Sequence, residues 1–489
     1  MDEECVTELP RGGDLPWALF YPADYSVASS SLGYHYIYSA LKELGVAAER
    51  FCNDPVPFRS IEGDTLLERF SVITASVAYE GNAEIFIRWL NSANIPLLSE
   101  DRSSESYPII GAGGAMTYIN PLLLSAVCDF IILGDALDDT LPFAVESLRR
   151  YFADGNKSKL LDQLAEHPSI LVPSRHIENG SVAVKRVLAN DQPLDAGYPM
   201  NSTWLTSRSS FGKTLLVELQ RGCVRNCSYC TLPGCFGKIR YRDSGIIKDR
   251  LEHIFSVNEV DQVGLVTPEA GDYPHIEDLL DFLESKNKGV SFASLRIDRL
   301  TEKMLSALKR GGRHSVTVAP ETGSDELRFS CGKKFTNDII LEKLQLASSL
   351  GIDQAKLYFM TGLPGETDED IKAITELSGR IIAETGMNLI LSVNPFVPKP
   401  GTTWSRMEFQ GTVEIRKKYE MLVRELSNIK KKRPQLRMTS PKEAESEFLL
   451  AWYGYNESVE LARNKGFSKK IRFDHDTRAK TLLELERLW

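Results

Sequence analysis

Arg221-Gly222-Cys223-Val224-Arg225-Asn226-Cys227-Ser228-Tyr229-Cys230 follows directly on the apolar run Leu215–Leu219. That run predicts a strand, so three thiols stand on a loop at a strand's C-terminal end. Three cysteines crowded within eight positions of a long chain point to a metal or cluster rather than to disulfides. Spacings of three and two residues let one short loop wrap three irons of a cubane. Thiolates are the usual ligands of iron–sulfur clusters, and four of them make a closed electron-transfer site. Three leave an open coordination position, which is a catalytic feature. The competing reading is a structural zinc knuckle with Cys235 as fourth ligand. Against it, all four cysteines would fall in one run instead of two separated halves.

Working outward, strands and helices alternate on the C-terminal side. Strand patterns lie at Thr214–Leu219, Gln262–Val266, Val290–Leu295, Ser315–Val318, Gln354–Met360 and Leu389–Asn394. Helical periodicity fills the intervals at Gly245–Phe255, His275–Ser285, Thr301–Lys309, Asn337–Leu350 and Thr367–Glu384. Six such units predict a (β/α)6 partial TIM barrel, whose chemistry gathers at the C-terminal strand ends. On the N-terminal side, Ala18–Tyr21, Phe70–Val77, Tyr107–Gly111 and Phe130–Leu133 read as strands between helical stretches. That alternation predicts a doubly wound, Rossmann-like parallel sheet. The α/β chain therefore divides into a sheet domain (1–150), a connector (151–210) with a hairpin around Asn179-Gly180, the barrel (211–430) and a small helical C-terminal segment (431–489).

The 489 residues are 42% hydrophobic and 26% charged, enough to bury sizeable cores. A net charge of -9 argues against a nucleic-acid partner held by phosphate neutralisation. The acidic start Met-Asp-Glu-Glu-Cys predicts no signal peptide, and the cysteine usage predicts a reducing, cytoplasmic setting. The uncharged stretch Tyr107–Cys128 is broken by Gly111, Gly113, Gly114 and Pro121, so no membrane span is expected. Trp404, Trp452 and Trp489 are isolated and read as core, and Lys430–Arg433, followed by Pro434, reads as a solvated turn.

The segment Arg221–Cys230 resembles the signature of the radical S-adenosylmethionine (SAM) superfamily, in its spacing and in the aromatic Tyr229 before the third cysteine. The resemblance implies a [4Fe-4S] cluster bound by Cys223, Cys227 and Cys230, with SAM on the unique iron. It further implies one-electron cleavage of SAM to methionine and a 5′-deoxyadenosyl radical that abstracts hydrogen from substrate. The electron would come from a flavodoxin- or ferredoxin-type reductant. Ser294-Leu295-Arg296-Ile297-Asp298 resembles the stretch where relatives contact SAM, which makes Ser294 and Arg296 candidate ligands. Ala319-Pro320-Glu321-Thr322-Gly323-Ser324 resembles the family's Glu-x-Gly-Ser turn, with Glu321 facing the SAM amino group or ribose. Gly362-Leu363-Pro364-Gly365-Glu366-Thr367 and Asn394–Pro400 resemble two later family motifs. Their physical content is a turn into a helix, with Thr367 as cap. Glu269 stands where a shorter motif binds the SAM amino group, although Thr267-Pro268-Glu269-Ala270 lacks the usual glycine pair. The barrel resemblance covers about Thr214 to Leu426.

Tyr21-Pro22, Leu32-Gly33-Tyr34, Ala48–Phe51 and Gly111-Ala112-Gly113-Gly114 resemble, in their order, the subgroup with a cobalamin-binding-like domain before the barrel. The resemblance assigns Gly113 and Gly114 to the close approach of a large ligand, with Gly134-Asp135 as a second loop. The Asp-x-His-x-x-Gly motif that supplies a cobalt ligand is absent, since the start reads Asp24-Tyr25-Ser26-Val27-Ala28. His35 falls in a helix and reads as core or surface. If cobalamin binds, the implied reaction is radical methylation of an unactivated carbon. The alternatives are cobalamin-independent radical modification of RNA, peptide or metabolite, and a non-catalytic iron–sulfur or zinc-binding interaction protein.

Overall fold

The computed structural model describes all residues except 1, 55–56, 103–105, 138, 179–180, 183–193, 196–198, 431, 469–470 and 489. The described residues form two compact units: 1–213 with 234–237 and 449–489, and 214–233 with 238–448.

In the first unit, strands β1 (Asp14–Phe20), β2 (Val46–Phe51), β3 (Val72–Ser76), β4 (Ile109–Gly113), β5 (Phe130–Ile132) and β6 (Ile170–Leu171) form one sheet in the order β2-β1-β3-β4-β5-β6. All neighbours run parallel except the antiparallel edge strand β6. Side chains alternate across a strand, and here both faces are buried. Ala18, Phe20, Ile73, Ala75, Ile110 and Ile131 enter one core, whereas Trp17, Leu19, Val72, Ile109 and Phe130 enter the other. This is why the strands read as continuous apolar runs rather than alternating ones.

Strand β2 escapes that reading because Glu49 and Arg50 interrupt it. Arg50 is buried between Glu3 and Glu62, and its guanidinium lies 3.6 Å from the Trp204 ring centroid. Trp204, from the expected connector, also stacks on His35 at 3.7 Å, so this end of the connector is part of the sheet domain's core. The strands flanking Asn179-Gly180 pair antiparallel, Ile177 with Val182, while the turn itself lies outside the described residues.

The C-terminal helices Pro441–Trp452, Tyr455–Arg463 and His475–Leu488 do not stand apart. Leu450, Tyr453, Leu461, Leu485 and Leu488 complete the core containing Phe20 and Phe86. Asn120 fastens them: its side-chain amide donates to the carbonyls of Ala451 (3.0 Å) and Tyr453 (2.8 Å) while its Oδ1 caps Leu122.

The second unit contains two runs of parallel strands. β7 (Thr214–Glu218), β8 (Gln262–Val266) and β9 (Gly289–Phe292) pair in sequence order. So do β10 (Ser315–Glu321), β11 (Gln354–Thr361), β12 (Asn388–Pro395) and β13 (Gln435–Met438). Helices between the strands complete a partial barrel. The edge strand β13 is an addition to the six expected: only four residues long and polar at Gln435 and Arg437, it carries little apolar signal. On β11 the pattern is strict, with Ala355, Leu357 and Phe359 fully buried and Lys356, Tyr358 and Met360 half-exposed on the opposite face. No helix among the described residues is long and apolar enough to cross a membrane.

Asn120→Ala leaves two buried carbonyls without donors. Its expected cost is about 2 kcal/mol or more, read as a lower midpoint in urea unfolding. An unchanged midpoint would mean that the C-terminal helices are held by apolar packing alone.

Candidate active site

The cysteine loop leaves β7 through a two-residue ribbon, Gln220–Arg221 paired antiparallel with Arg240–Tyr241, which closes the loop at its base. Glu218 at the strand end accepts from Arg221 (3.1 Å) and from the fully buried Arg242 (2.7 Å). Arg225, inside the loop, grips Asp272 through Nε (2.8 Å) and Nη2 (2.5 Å), tying the loop to the turn after β8. On the other flank the Ser228 N–H donates to the Cys331 carbonyl at 3.1 Å and the Trp404 N–H to the Ser228 carbonyl at 2.9 Å. Gly332 makes the first of these contacts feasible. Its φ is +86°, and a Cβ there would stand 2.9 Å from the Asn226 carbonyl oxygen and 3.1 Å from the Cys227 Cα.

Cys223, Cys227 and Cys230 are free, half-buried thiols. Burial raises Cys223 above the ordinary thiol range and pushes Cys230 up to about 11. A bound metal cation reverses that logic and holds coordinating thiols deprotonated. Three soft sulfur donors on one loop fit an iron–sulfur cluster. Cys235, the fourth zinc ligand that sequence allows, is buried with Tyr118, Ile119 and Phe236. Cys331 is buried in the apolar cluster of Leu327, Leu363, Phe396 and Trp404, and desolvation pushes it up to about 12.

Glu321, at the end of β10, is joined to the loop. Its Oε1 accepts from the Tyr229 hydroxyl at 2.6 Å and from Lys333 Nζ at 2.5 Å. Its Oε2 has no hydrogen-bond partner among the described residues. Burial, then the adjacent carboxylate, holds the Tyr229 phenol far above its usual range. The Glu321 backbone is left-handed (φ 69°), directly after a register shift in β10. Such a conformation in a non-glycine residue persists only where its surroundings over-determine it. Arg328 supplies that constraint: fully buried, it donates to the carbonyls of Pro320, Thr322 and Phe335 and to Asp325 and Asn337. Ser324 adds a bond to Asp370, which also takes the Thr367 N–H and hydroxyl in a capping box.

Neither Lys333 nor Arg328 stood out in the sequence; the one local signal is Gly332 between Cys331 and Lys333. Glu366 of the Gly-Leu-Pro-Gly-Glu-Thr turn is spent internally, accepting from the Gly362 N–H (2.7 Å) and Lys418 (2.5 Å).

The ends of β8 and β9 meet beside this. Arg296 is buried, donates to Asp298 at 2.8 Å and lies 5.2 Å from the Phe335 ring centroid. Ser294 is exposed, and its carbonyl accepts from the Ala270 N–H at 3.4 Å. Glu269 is 4% exposed, accepts from the Gly271 N–H at 2.8 Å, and is pushed up to about 7, chiefly by burial.

In the first unit, Gly113 ends β4 and Gly114 follows it. A Cβ on Gly114 (φ +103°) would stand 2.7 Å from the Val77 carbonyl, so internal packing alone demands glycine there. Gly113 has more room, its nearest neighbour being Ile132 at 3.7 Å. His35 is a core residue. Its Nδ1 accepts from the Thr203 N–H (2.9 Å), leaving Nε2–H to donate to the Ser29 carbonyl (3.0 Å), and burial depresses its pKa to about 3. Both ring nitrogens are engaged.

Glu269 gives the site a pH signature. Its folded pKa lies above the ordinary value near 4.5, so the folded state holds the proton more tightly. The stability that Glu269 contributes is then fully present below about pH 4.5 and is lost as pH rises towards 7. In the metal-free protein, wild type is expected to lose on the order of 3 kcal/mol across that window relative to Glu269→Gln. Parallel denaturation profiles for the two would refute the assignment.

Residues 217–378 match the sequence model of the radical SAM superfamily, and residues 42–173 match that of radical SAM protein N-terminal regions. An uncharacterized protein of Methanocaldococcus jannaschii is 28% identical over 402 residues, covering 82% of each chain. The structure of the radical SAM methyltransferase TsrM from Kitasatospora setae, with cobalamin and a [4Fe-4S] cluster bound, aligns with a TM-score of 0.53 at 13% identity, covering 96% of this chain and 90% of its own. The cobalamin-dependent SAM radical enzyme OxsB aligns with a TM-score of 0.53 at 17% identity, covering 74% and 52%. At such identities these are likenesses of fold. With two family models in chain order and the three-cysteine loop at the C-terminal end of β7, the chain belongs to the radical SAM superfamily, and its fold is like that of TsrM and OxsB.

Proposed function

We propose that this radical SAM enzyme methylates an unactivated carbon in a cobalamin-dependent reaction. The observation that carries its radical chemistry is the trio of free thiols on a loop pinned by Asp272, Cys331 and Trp404. When bound through Cys223, Cys227 and Cys230, a [4Fe-4S] cluster supplies the electron for reductive cleavage of SAM. Three protein ligands leave one coordination position for the SAM amino and carboxylate groups. Around it, Glu321 offers Oε2 as an acceptor, Glu269 a second carboxyl, and Arg296 and Ser294 the edge of β9. Tyr229 and Lys333 keep Oε1 occupied, so Glu321 cannot swing away from the loop. A flavodoxin- or ferredoxin-type protein would supply the electron.

Cobalamin would supply a methyl carrier. The reading is supported by the doubly wound sheet, the glycine turn at Gly113-Gly114 and the fold likeness to TsrM and OxsB. His35, with both nitrogens committed, offers cobalt no ligand, and the corrin would rest against backbone. The same two features favour a second reading, radical chemistry without cobalamin: His35 is locked in the core, and Gly114 is explained by Val77.

Anaerobic purification with added cobalamin separates the two. Retained cobalamin whose cobalt shows no protein nitrogen ligand supports methylation; none retained, with SAM still cleaved, supports the second reading. Cys223→Ala, Cys227→Ala and Cys230→Ala should each lose the cluster and SAM cleavage, whereas Cys235→Ala keeps both. A Cys227 variant with full iron content and turnover would overturn the ligand assignment.

A further inference from the structure

The half-exposed face of β10–β13 carries a second set of unengaged groups. Over the stretches Ser315–Val318, Gln354–Thr361, Asn388–Pro395 and Gln435–Met438 the charged residues are Lys356 and Arg437; Glu321, registered with Phe359 beyond the shift in β10, is committed to Tyr229 and Lys333. The register aligns Thr317 with Lys356 and, two residues further on, Tyr358 with Ser392 and Arg437. All five side chains thus share one face. Lys356 Nζ lies 4.6 Å from the Tyr358 ring centroid. Among the described residues neither cation has an ion pair or a hydrogen bond, and the hydroxyls of Thr317, Tyr358 and Ser392 have no partner either.

An arginine on the edge strand β13 has an ordinary explanation, since edge charges discourage strand addition. That does not extend to Lys356, because β11 is paired on both sides. With strands about 4.8 Å apart and a rise of about 3.3 Å per residue, the two Cα atoms stand roughly 12 Å from each other. A lysine and an arginine reaching inwards close that span around a group of carboxylate or phosphate size. Arg437 offers a planar fork and Lys356 a point charge, with three hydroxyls to complete the shell.

We propose that the inner face of the second unit binds a small anionic substrate, anchoring its carboxylate or phosphate group on Lys356 and Arg437. The inference rests on the radical SAM reading of this barrel and adds the substrate's chemical class. Two cations on Cα atoms about 12 Å apart suit a small molecule. A nucleic-acid backbone needs an exposed basic track, which two cations do not make.

The test is calorimetric titration of the full-length protein at low salt with inorganic phosphate, with succinate and with a single-stranded RNA oligonucleotide. Phosphate or succinate should bind with one-to-one stoichiometry, and whichever binds identifies the anion. Lys356→Gln and Arg437→Gln should each weaken it about tenfold, the loss of roughly one charge-assisted hydrogen bond. Lys356→Arg should recover most of the affinity. Arg416→Gln removes an equal charge from an exposed position on the helix Gly411–Leu426 and should bind as wild type. Circular dichroism of each variant checks folding. No binding of either anion into the millimolar range, binding indifferent to both glutamine variants, or RNA binding that depends on them would overturn the proposal. A reconstituted protein that binds phosphate through Lys356 and Arg437 yet cleaves no SAM would instead break the radical reading.

Discussion

One carboxylate oxygen, Oε1 of Glu321, holds the site's two halves together. It receives the phenol of Tyr229, from the cysteine loop, and the ammonium of Lys333, from the turn that underlies that loop. A buried carboxylate between two donors is stable because both hydrogen bonds are made in a low-dielectric setting, and it is correspondingly costly to disturb. The left-handed backbone at Glu321 follows from this demand. An extended residue after the β10 register shift would continue the ladder instead of turning its side chain to the loop. Arg328 maintains the strain by spending its donors on the carbonyls to either side.

From that link the functional arrangement follows in sequence. The cysteine loop is fixed at its base by the ribbon, on one flank by Arg225–Asp272 and on the other by Ser228, Gly332 and Trp404. Rigidity of this kind matters because a catalytic constellation must be held to a fraction of an ångström by supporting contacts. Glu269 and Arg296 stand at the ends of β8 and β9, so the carboxyls and cation proposed for SAM come from different strands. That division of labour is what a barrel's C-terminal face makes possible.

Much of this was legible in the sequence where one short segment carried the signal. The cysteine spacing, the alternation of strands and helices and the Glu321 turn needed no long-range information. What could not be read depended on contacts distant in the chain. Strand β2 was obscured because Glu49 and Arg50 look polar until Glu3, Glu62 and Trp204 surround them. Strand β13 is only four residues long, and its Gln435 and Arg437 are exposed. The C-terminal helices looked autonomous, although their Leu450, Leu461, Ala462, Leu485 and Leu488 belong to a core begun by Phe20. Lys333 carried no signal until the fold brought it to Glu321. At Gly114, read as making room for a ligand, the fold adds a second demand for glycine, since a Cβ there would meet the Val77 carbonyl.

Three cysteines with one open position should let SAM enter the iron–sulfur site. Electron paramagnetic resonance of the anaerobically reconstituted, reduced protein addresses it most directly. The account predicts a [4Fe-4S] signal, with about four irons per chain, that changes shape when SAM is added, because SAM enters the position that three cysteines leave free. A signal indifferent to SAM, or a protein that takes up one zinc and no iron, would contradict it.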